Sequence, residues 1–250
     1  MVILKSLQEI EKIGKAGRVV ADVLAGVREM VRPGISTLHL DEYAEKAIRA
    51  AGAKPAFKGY RGYPRTLCTS LNEQVIHGIP ARNVVLKAGD ILSIDVGAIV
   101  DGFYGDAAVT VPVGKISEAA ERLIRVTEAA LAAGIREARP GNRLYDISAA
   151  VQEHVEANGY SVVREFVGHG IGRSLHEDPQ VPNFGERGRG IRLQPGMVLA
   201  IEPMVNMGGS KTVVTEDQWT AVTADGSLSA HCEHTIAIQD GGPLILTARH

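Results

Sequence analysis

The chain repeats several sequence features at one fixed spacing. An Arg-Pro-Gly tripeptide begins at Arg32 and again at Arg139, 107 positions later, and each copy follows a long amphipathic helical pattern. Gly52 and Gly159, which stand where the next helical patterns end, are separated by the same 107 positions. One spacing shared by separate segments is typical of an internal duplication.

A third pair of segments has the same spacing and contains acidic residues. LKAGDILSID, residues 86–95, aligns with LQPGMVLAIE, residues 193–202, with four identical positions. The alignment matches Asp95 with Glu202, and each carboxylate follows an apolar, strand-like run. Equivalent acidic residues from two halves are what a site at the axis of a duplication would contain.

These patterns predict an α+β fold built from two related halves. The halves cover approximately residues 5–113 and 114–250 and share one core, so that residues 1–250 form a single catalytic domain. The first long helix is predicted to begin at Ser6, where Glu9 completes a capping box. A second long helix is predicted from about Ser117 to Ala138, and strand-like runs such as VVREFVG, residues 162–168, are predicted between the helix pairs and the chain ends. With 250 residues, of which 45% are hydrophobic, the chain is long enough to bury a large core.

The segment SIDVGAIVDGFYGDA, residues 93–107, predicts a β-hairpin that carries two carboxylates. Asp101-Gly102 is typical of a two-residue type I′ turn, which would place Gly97 opposite Asp106 and leave open space between Asp95 and Asp106. Because side chains alternate along a strand, Asp95 and Asp106 would then be diagonal neighbours on one face, about 7–8 Å apart. Two carboxylates on an apolar face share a proton or hold a cation.

Two more carboxylates extend this pattern into the second half of the chain. Glu202 and Glu233 both occur in strand-like apolar runs, and four such carboxylates cannot share one proton. Two divalent ions would neutralise all four, which predicts a dinuclear metal centre. Oxygen-rich ligation with one imidazole suits Mn, Fe or Co as well as Zn. His169, in a glycine-rich segment, and His231, on the face of Glu233, are both candidate ligands, and spacing alone does not choose between them.

Composition and motifs argue against other classes of function. A net charge of −2 creates no field that would recruit nucleic acid or an acidic membrane. The sequence has no stretch of 18 apolar residues and no signal-peptide pattern at its start, so we expect a cytoplasmic protein. Its two cysteines indicate no disulfide framework. Phosphate-binding loops, H-E-x-x-H zinc motifs and serine nucleophile elbows are all missing.

Several stretches together resemble the type I methionine aminopeptidases in their short, bacterial-like form. They stand in the family's order: GYRGYPRTLCTSLNEQVIHGIP, LSIDVGAIVDGFYGDAA, FVGHGIGRSLHEDPQVPNFG, LQPGMVLAIEPM and SAHCEHTIAI. The resemblance covers nearly the whole chain and implies the pita-bread fold, in which two pseudo-symmetric halves share a curved, mainly antiparallel sheet covered by helices on one face. It implies a metal-dependent exopeptidase that removes the N-terminal methionine from newly made proteins with a small second residue, by attack of a metal-activated water.

The resemblance also implies the cofactors and the catalytic residues. Two divalent ions (Co, Mn, Fe or Zn) would be held by Asp95, Asp106, His169, Glu202 and Glu233. This set favours His169 over His231. Asp106 and Glu233 would bridge the ions, and Glu202 would also accept the proton of the attacking water. His176 would stabilise the intermediate at the substrate carbonyl, and His77 would contact the amide beyond it.

Further implied sites concern the substrate and a monovalent cation. The residues that would line the methionine pocket are Phe57, Tyr60, Tyr63, Cys68, His77, His176 and Trp219. Leu175 stands where relatives often carry an aromatic residue, which leaves the pocket wall and the fine substrate preference open. A monovalent cation would bind near Asn72 and Ser229.

The expected partner is the N-terminus of a peptide or nascent chain, with a transient ribosome association and no membrane or nucleic-acid specificity. We expect a monomer. Two alternatives remain at this point. One is an Xaa-Pro aminopeptidase or prolidase of the same fold, although those relatives usually carry an additional N-terminal domain. The other is a non-catalytic pita-bread binding module.

Overall fold

The computed structural model describes residues 2–249. Its helices are α1 (Leu7–Met30), α2 (Thr37–Ala50), α3 (Glu118–Glu137) and α4 (Leu144–Ala157), with a 3₁₀ turn at Tyr60–Gly62. Its strands are β1 (Lys54–Pro55), β2 (Leu67–Leu71), β3 (Gln74–Ile76), β4 (Ile91–Val100), β5 (Phe103–Pro112), β6 (Ser161–Val162), β7 (Gly168–Gly170), β8 (Glu177–Val181), β9 (Val198–Ile201), β10 (Met204–Asn206), β11 (Thr212–Val214), β12 (Ala221–Thr223), β13 (Ser229–His231), β14 (Glu233–Gln239) and β15 (Gly242–Ile245).

The predicted helix starts are confirmed by their capping interactions. The Ser6 hydroxyl accepts a hydrogen bond from the backbone N–H of Glu9, whose carboxylate accepts one from the Ser6 N–H at 3.0 Å. Ser117 caps α3 in the same way through the N–H of Ala120. Because these polar caps satisfy N–H groups that have no partner inside the helix, they fix where each helix begins.

The helix boundaries recur at the spacing found in the sequence. Helices α1 and α3 end at Met30 and Glu137, 107 positions apart, and α4 begins and ends 107 positions after α2. Strand β6 follows β1 at the same spacing. This correspondence supports the proposed division into two halves, which stays a prediction.

A nine-stranded sheet forms the centre of the molecule, and all of its strand pairings are antiparallel. The strands follow the order β1-β4-β5-β14-β9-β7-β8, with β2 paired to β4 and β15 paired to β14. One predicted strand is wrong: in VVREFVG, β6 ends at Val162 and β7 begins only at Gly168. An apolar run too short to show a period does not distinguish a strand from a buried loop.

The helices pack on one face of this sheet and leave the other face for polar residues. Ile94 and Val96 of β4 belong to the apolar core that includes Val20 and Leu24 of α1. Since side chains alternate along β4, Asp95 lies on the opposite face. The hydrophobic core thus forms between helices and sheet, and the carboxylates lie on the side away from the helices.

None of the helices within residues 2–249 is both long and apolar enough to cross a lipid bilayer.

Candidate metal centre

The hairpin that carries Asp95 and Asp106 has the predicted register. Asp101 and Gly102 have φ of 52° and 77°, as a type I′ turn requires. Gly97 pairs with Asp106, and the pairing runs without a bulge along both strands. The space beside Gly97 is not open as predicted, because a Cβ there would lie 2.7 Å from the Phe57 ring. The glycine therefore allows an aromatic side chain to approach the two carboxylates.

Two neighbouring rows of residues bring the predicted metal ligands together across the sheet. Cross-strand pairing defines the first row, which contains Cys68, Asp95, Ala108 and Glu233. The second row contains Gly97, Asp106, Thr235, Ala200 and His169, joined by pairing and by hydrogen bonds between Thr235 and the Asp106 backbone. Since paired residues share a face, both rows point to the side away from the helices.

Glu202 joins the first row from just beyond the end of β9. The preceding residue, Ile201, pairs with His234, so Glu202 lies level with Glu233. The sequence predicted Glu202 inside a strand, but β9 ends at Ile201 and Glu202 occupies the break before β10. A side chain at a strand end is freer to adjust to a ligand than one fixed within the ladder.

The ligand atoms of the cluster converge on one another. Atoms of Asp106, His169 and Glu233 all lie within 4.8 Å of one another, and His169 Nε2 lies 3.6 Å from Glu202 Oε1. One carboxylate oxygen on each of Asp95, Asp106 and Glu233 is buried without any hydrogen-bond partner. Buried acceptors normally have partners, so three unpartnered carboxylate oxygens in one cluster fit residues that hold a cation.

The electrostatics of the cluster point to a cation. Burial raises the pKa of Asp95 to about 7. Burial also raises the pKa of Asp106, and the nearby charges of Glu233 and Asp95 raise it further. The pKa values of Glu202 and Glu233 are raised for the same reasons, burial first and neighbouring carboxylates second. Raised pKa values favour the neutral, protonated carboxyl groups. A divalent cation among the four carboxylates would lower these pKa values and favour the ionised forms.

The two histidines that the sequence left as alternatives both face Glu202. His169 Nδ1 is 2.9 Å from the carbonyl of Gly170, an orientation that directs Nε2 toward the carboxylates. His231 Nε2 is 3.8 Å from the other oxygen of Glu202 and has no hydrogen-bond partner. Burial lowers the pKa of both imidazoles to about 3, so both are neutral and able to act as ligands or acceptors. His169 is the one that lies with Asp106 and Glu233.

The donor set fits a divalent metal. It combines carboxylate oxygens with one neutral imidazole, the ligand types that Mn, Fe, Co and Zn accept. The unpartnered carboxylate oxygens are the atoms that could bind the metal, and the His169–Gly170 hydrogen bond is the supporting contact that metal-bound histidines usually have.

A wall of aromatic rings borders the carboxylates. Phe57, Tyr63, Cys68 and Leu175 are buried in one apolar cluster, against which Tyr60 and Trp219 also pack. The structure thus brings together the residues predicted for the methionine pocket, with Leu175, 3% exposed, among them. An apolar enclosure beside charged groups suits a substrate that has an apolar side chain and a charged end.

The two predicted catalytic histidines lie at the edge of this wall. Nδ1 of His176 is 2.7 Å from the Tyr60 hydroxyl, and the His176 ring lies 4.3 Å from that of His169. The His77 ring contacts Trp219 at 6.4 Å between centroids. Phe166 also contacts His77 edge-on and was not predicted, because it falls in a run interpreted as a plain strand.

Asn72 and Ser229, predicted near a monovalent cation, are direct neighbours. The Ser229 N–H donates to the Asn72 carbonyl at 2.8 Å. The Asn72 side-chain carbonyl already accepts the N–H of Ile91, and the Ser229 hydroxyl contacts Asn206. Bringing the pair together is consistent with a shared cation, which stays a prediction.

Comparison with known proteins matches the fold and the chemistry. Residues 11–240 match metallopeptidase family M24. A methionine aminopeptidase of Clostridium perfringens is 57% identical over 247 residues, 99% of each chain. The crystal structure of a methionine aminopeptidase from Thermotoga maritima superposes with a TM-score of 0.98 at 50% identity, covering 100% of both chains. This superposition confirms the predicted pita-bread fold.

A more distant match concerns the fold alone. A prolidase from Pyrococcus furiosus is 23% identical, with a TM-score of 0.78, and covers 99% of this chain. The match spans only 66% of the prolidase.

Proposed function

The chain belongs to metallopeptidase family M24, and on this premise we propose that it is a metal-dependent aminopeptidase that removes N-terminal methionine. The single observation that supports this most strongly is the cluster of buried, unpartnered carboxylate oxygens beside an apolar pocket. The high identity to named methionine aminopeptidases over the full length supports the same activity.

The metal ligands are proposed to be Asp95, Asp106, His169, Glu202 and Glu233. Four carboxylates balance the charge of two divalent ions, so we propose two ions, drawn from Co, Mn, Fe and Zn. When bound, such ions lower the pKa of water and polarise a carbonyl.

Glu202 is proposed to accept the proton of the attacking water. Its carboxylate lies between the Nε2 atoms of His169 and His231, at 3.6 Å and 3.8 Å. Its side chain is only 12% exposed, and burial raises its pKa. That raised pKa belongs to the metal-free protein; with metal bound, the ionised carboxylate is favoured, and it is the form that can accept a proton from a water held beside it.

His176 and His77 are proposed to bind the peptide group that is cleaved. The Tyr60 hydroxyl fixes the His176 ring through Nδ1, which leaves Nε2 for a hydrogen bond to the substrate carbonyl. Burial lowers the pKa of both imidazoles, that of His77 to about 4, so both remain neutral in ordinary buffers. Neutral imidazoles bind a polar amide without adding charge to the site.

The apolar cluster is proposed to select the side chain of methionine. Phe57 and Tyr63 offer aromatic surface, and Cys68 lies directly opposite Asp95 in the sheet. A thioether makes favourable contacts with aromatic rings and is easily accommodated in an irregular apolar space. The carboxylates on the next strand would attract the free α-amino group, which explains a requirement for a chain terminus.

Two tripeptides separate this activity from that of a prolidase of the same fold. We expect release of methionine from Met-Ala-Ser to exceed cleavage of Ala-Pro-Ala, because the ring-lined pocket offers the methionine side chain apolar contacts that the alanine side chain of Ala-Pro-Ala cannot make. Preference for Ala-Pro-Ala would overturn the proposed substrate. Glu202→Gln, which keeps the shape and removes the base, is the control for contaminating peptidases.

The binding-module alternative, the monovalent cation and the ribosome association can each be tested separately. The binding-module alternative predicts no hydrolysis by metal-loaded protein and partner capture that survives Glu202→Ala. A monovalent cation near Asn72 and Ser229 would make activity depend on K⁺ or Na⁺. Transient ribosome association of a cytoplasmic monomer would appear as salt-sensitive cosedimentation.

A further inference from the structure

A buried ion pair joins the N-terminal segment to the loop that carries His176. Lys5 Nζ lies 2.6 Å from Glu177 Oε2, and the two side chains are only 4% and 11% exposed. Lys5 Nζ also donates to the carbonyl of Ile3 at 2.9 Å. Charged side chains are seldom this buried, and when they are, each holds the other in place.

The glutamate of this pair organises the loop directly. Glu177 Oε1 accepts the backbone N–H of Arg173 at 2.7 Å and that of Ser174 at 3.1 Å. The loop, residues 171–176, ends at His176, which is itself exposed. The Glu177 carboxylate thus connects Lys5 to two backbone amides of the loop. His176 is the residue immediately before Glu177.

The lysine is fixed independently of the loop. The backbone N–H of Lys5 donates to the carbonyl of Gly196 at 2.7 Å, which attaches the N-terminal segment to the turn before β9. Gly172 permits the close approach, since a Cβ there would collide with Lys5 Cε and lie 2.9 Å from Glu177 Oε1. The loop is therefore anchored to a fixed point and not only to its own backbone.

Other contacts also hold this loop from outside, including the Tyr60 hydroxyl, 2.7 Å from His176 Nδ1, and the burial of Leu175 in the apolar cluster. Arg173 pairs with Glu9 at 3.2 Å, but its side chain is 67% exposed, and exposed pairs contribute little. The Tyr104 N–H donates to the Gly172 carbonyl and fixes only the start of the loop. The buried pair is the charged contact nearest in sequence to His176.

We propose that Lys5 is a positioning residue: through Glu177 it holds the His176 ring beside His169 in the geometry used for peptide cleavage. This role rests on the proposed function, in which His176 contacts the substrate carbonyl. A displacement of about 1 Å in a catalytic group lowers turnover by as much as about 100-fold. Binding of the methionine side chain depends on the separate apolar cluster and is expected to change little.

The variants Lys5→Met and Lys5→Met/Glu177→Gln test this role. The double variant leaves no unpaired buried charge and retains an oxygen for the loop amides, so it guards against misfolding of the single variant. For both we expect kcat on Met-Ala-Ser to fall by about 10- to 100-fold with KM within about twofold of wild type. Lys15→Met, at an exposed position on α1, is the matched control and is expected to retain wild-type kcat.

Amide hydrogen exchange supplies a readout that does not depend on activity. We expect the Arg173 and Ser174 amides to exchange at least about 10-fold faster in Lys5→Met than in Lys15→Met, and the His176 ring signals to shift in NMR spectra. If the wild-type protein releases no methionine, the proposed function fails, but exchange still tests the anchoring. Wild-type kcat in the folded double variant, or unchanged exchange at both amides, would overturn the proposal.

Discussion

Replacing Asp95 with asparagine should stabilise the metal-free protein above neutral pH. Burial raises the pKa of Asp95 from its ordinary value of 3.8 to about 7. At about 1.4 kcal/mol for each pH unit, this corresponds to roughly 4 kcal/mol. Well below the unfolded pKa of 3.8 the carboxyl is neutral in both states, and stability is lost as pH rises from about 4 toward 7, because only the unfolded state ionises freely.

Chemical denaturation in the presence of a chelator measures this effect. The free energy of unfolding of Asp95→Asn minus that of wild type should be near zero at about pH 3 and rise to about 4 kcal/mol by about pH 7.5. With metal present the order should reverse, because the variant lacks one charged ligand. Asp101→Asn, in the exposed hairpin turn, is the matched control for the removal of one carboxylate. A metal-free Asp95→Asn protein that is equal to or less stable than wild type at pH 7.5 would refute the reasoning.

Three further changes test separate parts of the site. Asp106→Asn should lower the bound metal measured by elemental analysis while the circular dichroism spectrum stays native, and unchanged metal content would contradict its role as a ligand. Gly97→Ala would place a Cβ 2.7 Å from the Phe57 ring; we expect a loss of stability of about 1–3 kcal/mol and a raised KM for Met-Ala-Ser, and an unchanged KM would exclude Phe57 from the pocket. Burial raises the pKa of Cys68 well above its usual range and that of Cys232 to about 12, so neither thiol should react with iodoacetamide at pH 8 until the protein is unfolded; labelling of the native protein would show that one of them is accessible.

The hairpin was predictable because its register depends on local chemistry. Asp101-Gly102 specifies the turn, and the turn fixes which residues of β4 and β5 are paired. From that register, the shared face of Asp95 and Asp106 follows without any knowledge of the rest of the fold. The link between Asp95 and Glu202 was predictable for a different reason, since it rests on a spacing that repeats along the chain.

Contacts between distant segments were not predictable. The choice between His169 and His231 depends on β7 pairing with β9, a non-local pairing that no turn specifies. Both imidazoles lie close to Glu202, so both sequence candidates do reach the cluster. Residue spacing does not show which of them also lies beside Asp106 and Glu233. The Lys5–Glu177 pair joins residues 172 positions apart, and a single lysine near the N-terminus gives no sign of which distant carboxylate it will pair with.

The predicted strand across VVREFVG was wrong because its apolar residues pack against two different parts of the molecule, a buried apolar cluster and the His77 ring. Val163 is buried in one apolar cluster, and Phe166 packs against that cluster while also contacting His77 edge-on. The segment is therefore a loop that lines the site, and its apolar character comes from that packing and not from a strand period.

Reactivation of chelator-stripped protein tests the central claim most directly. Purified protein would be stripped of metal, titrated separately with Mn, Fe, Co and Zn, and assayed for methionine released from Met-Ala-Ser, with bound metal counted in the same samples. The carboxylate and histidine cluster predicts no release without metal and a return of activity that parallels metal occupancy, saturating at two ions per chain. Release by the stripped protein, or full metal occupancy with no release by any of the four metals, would contradict the account.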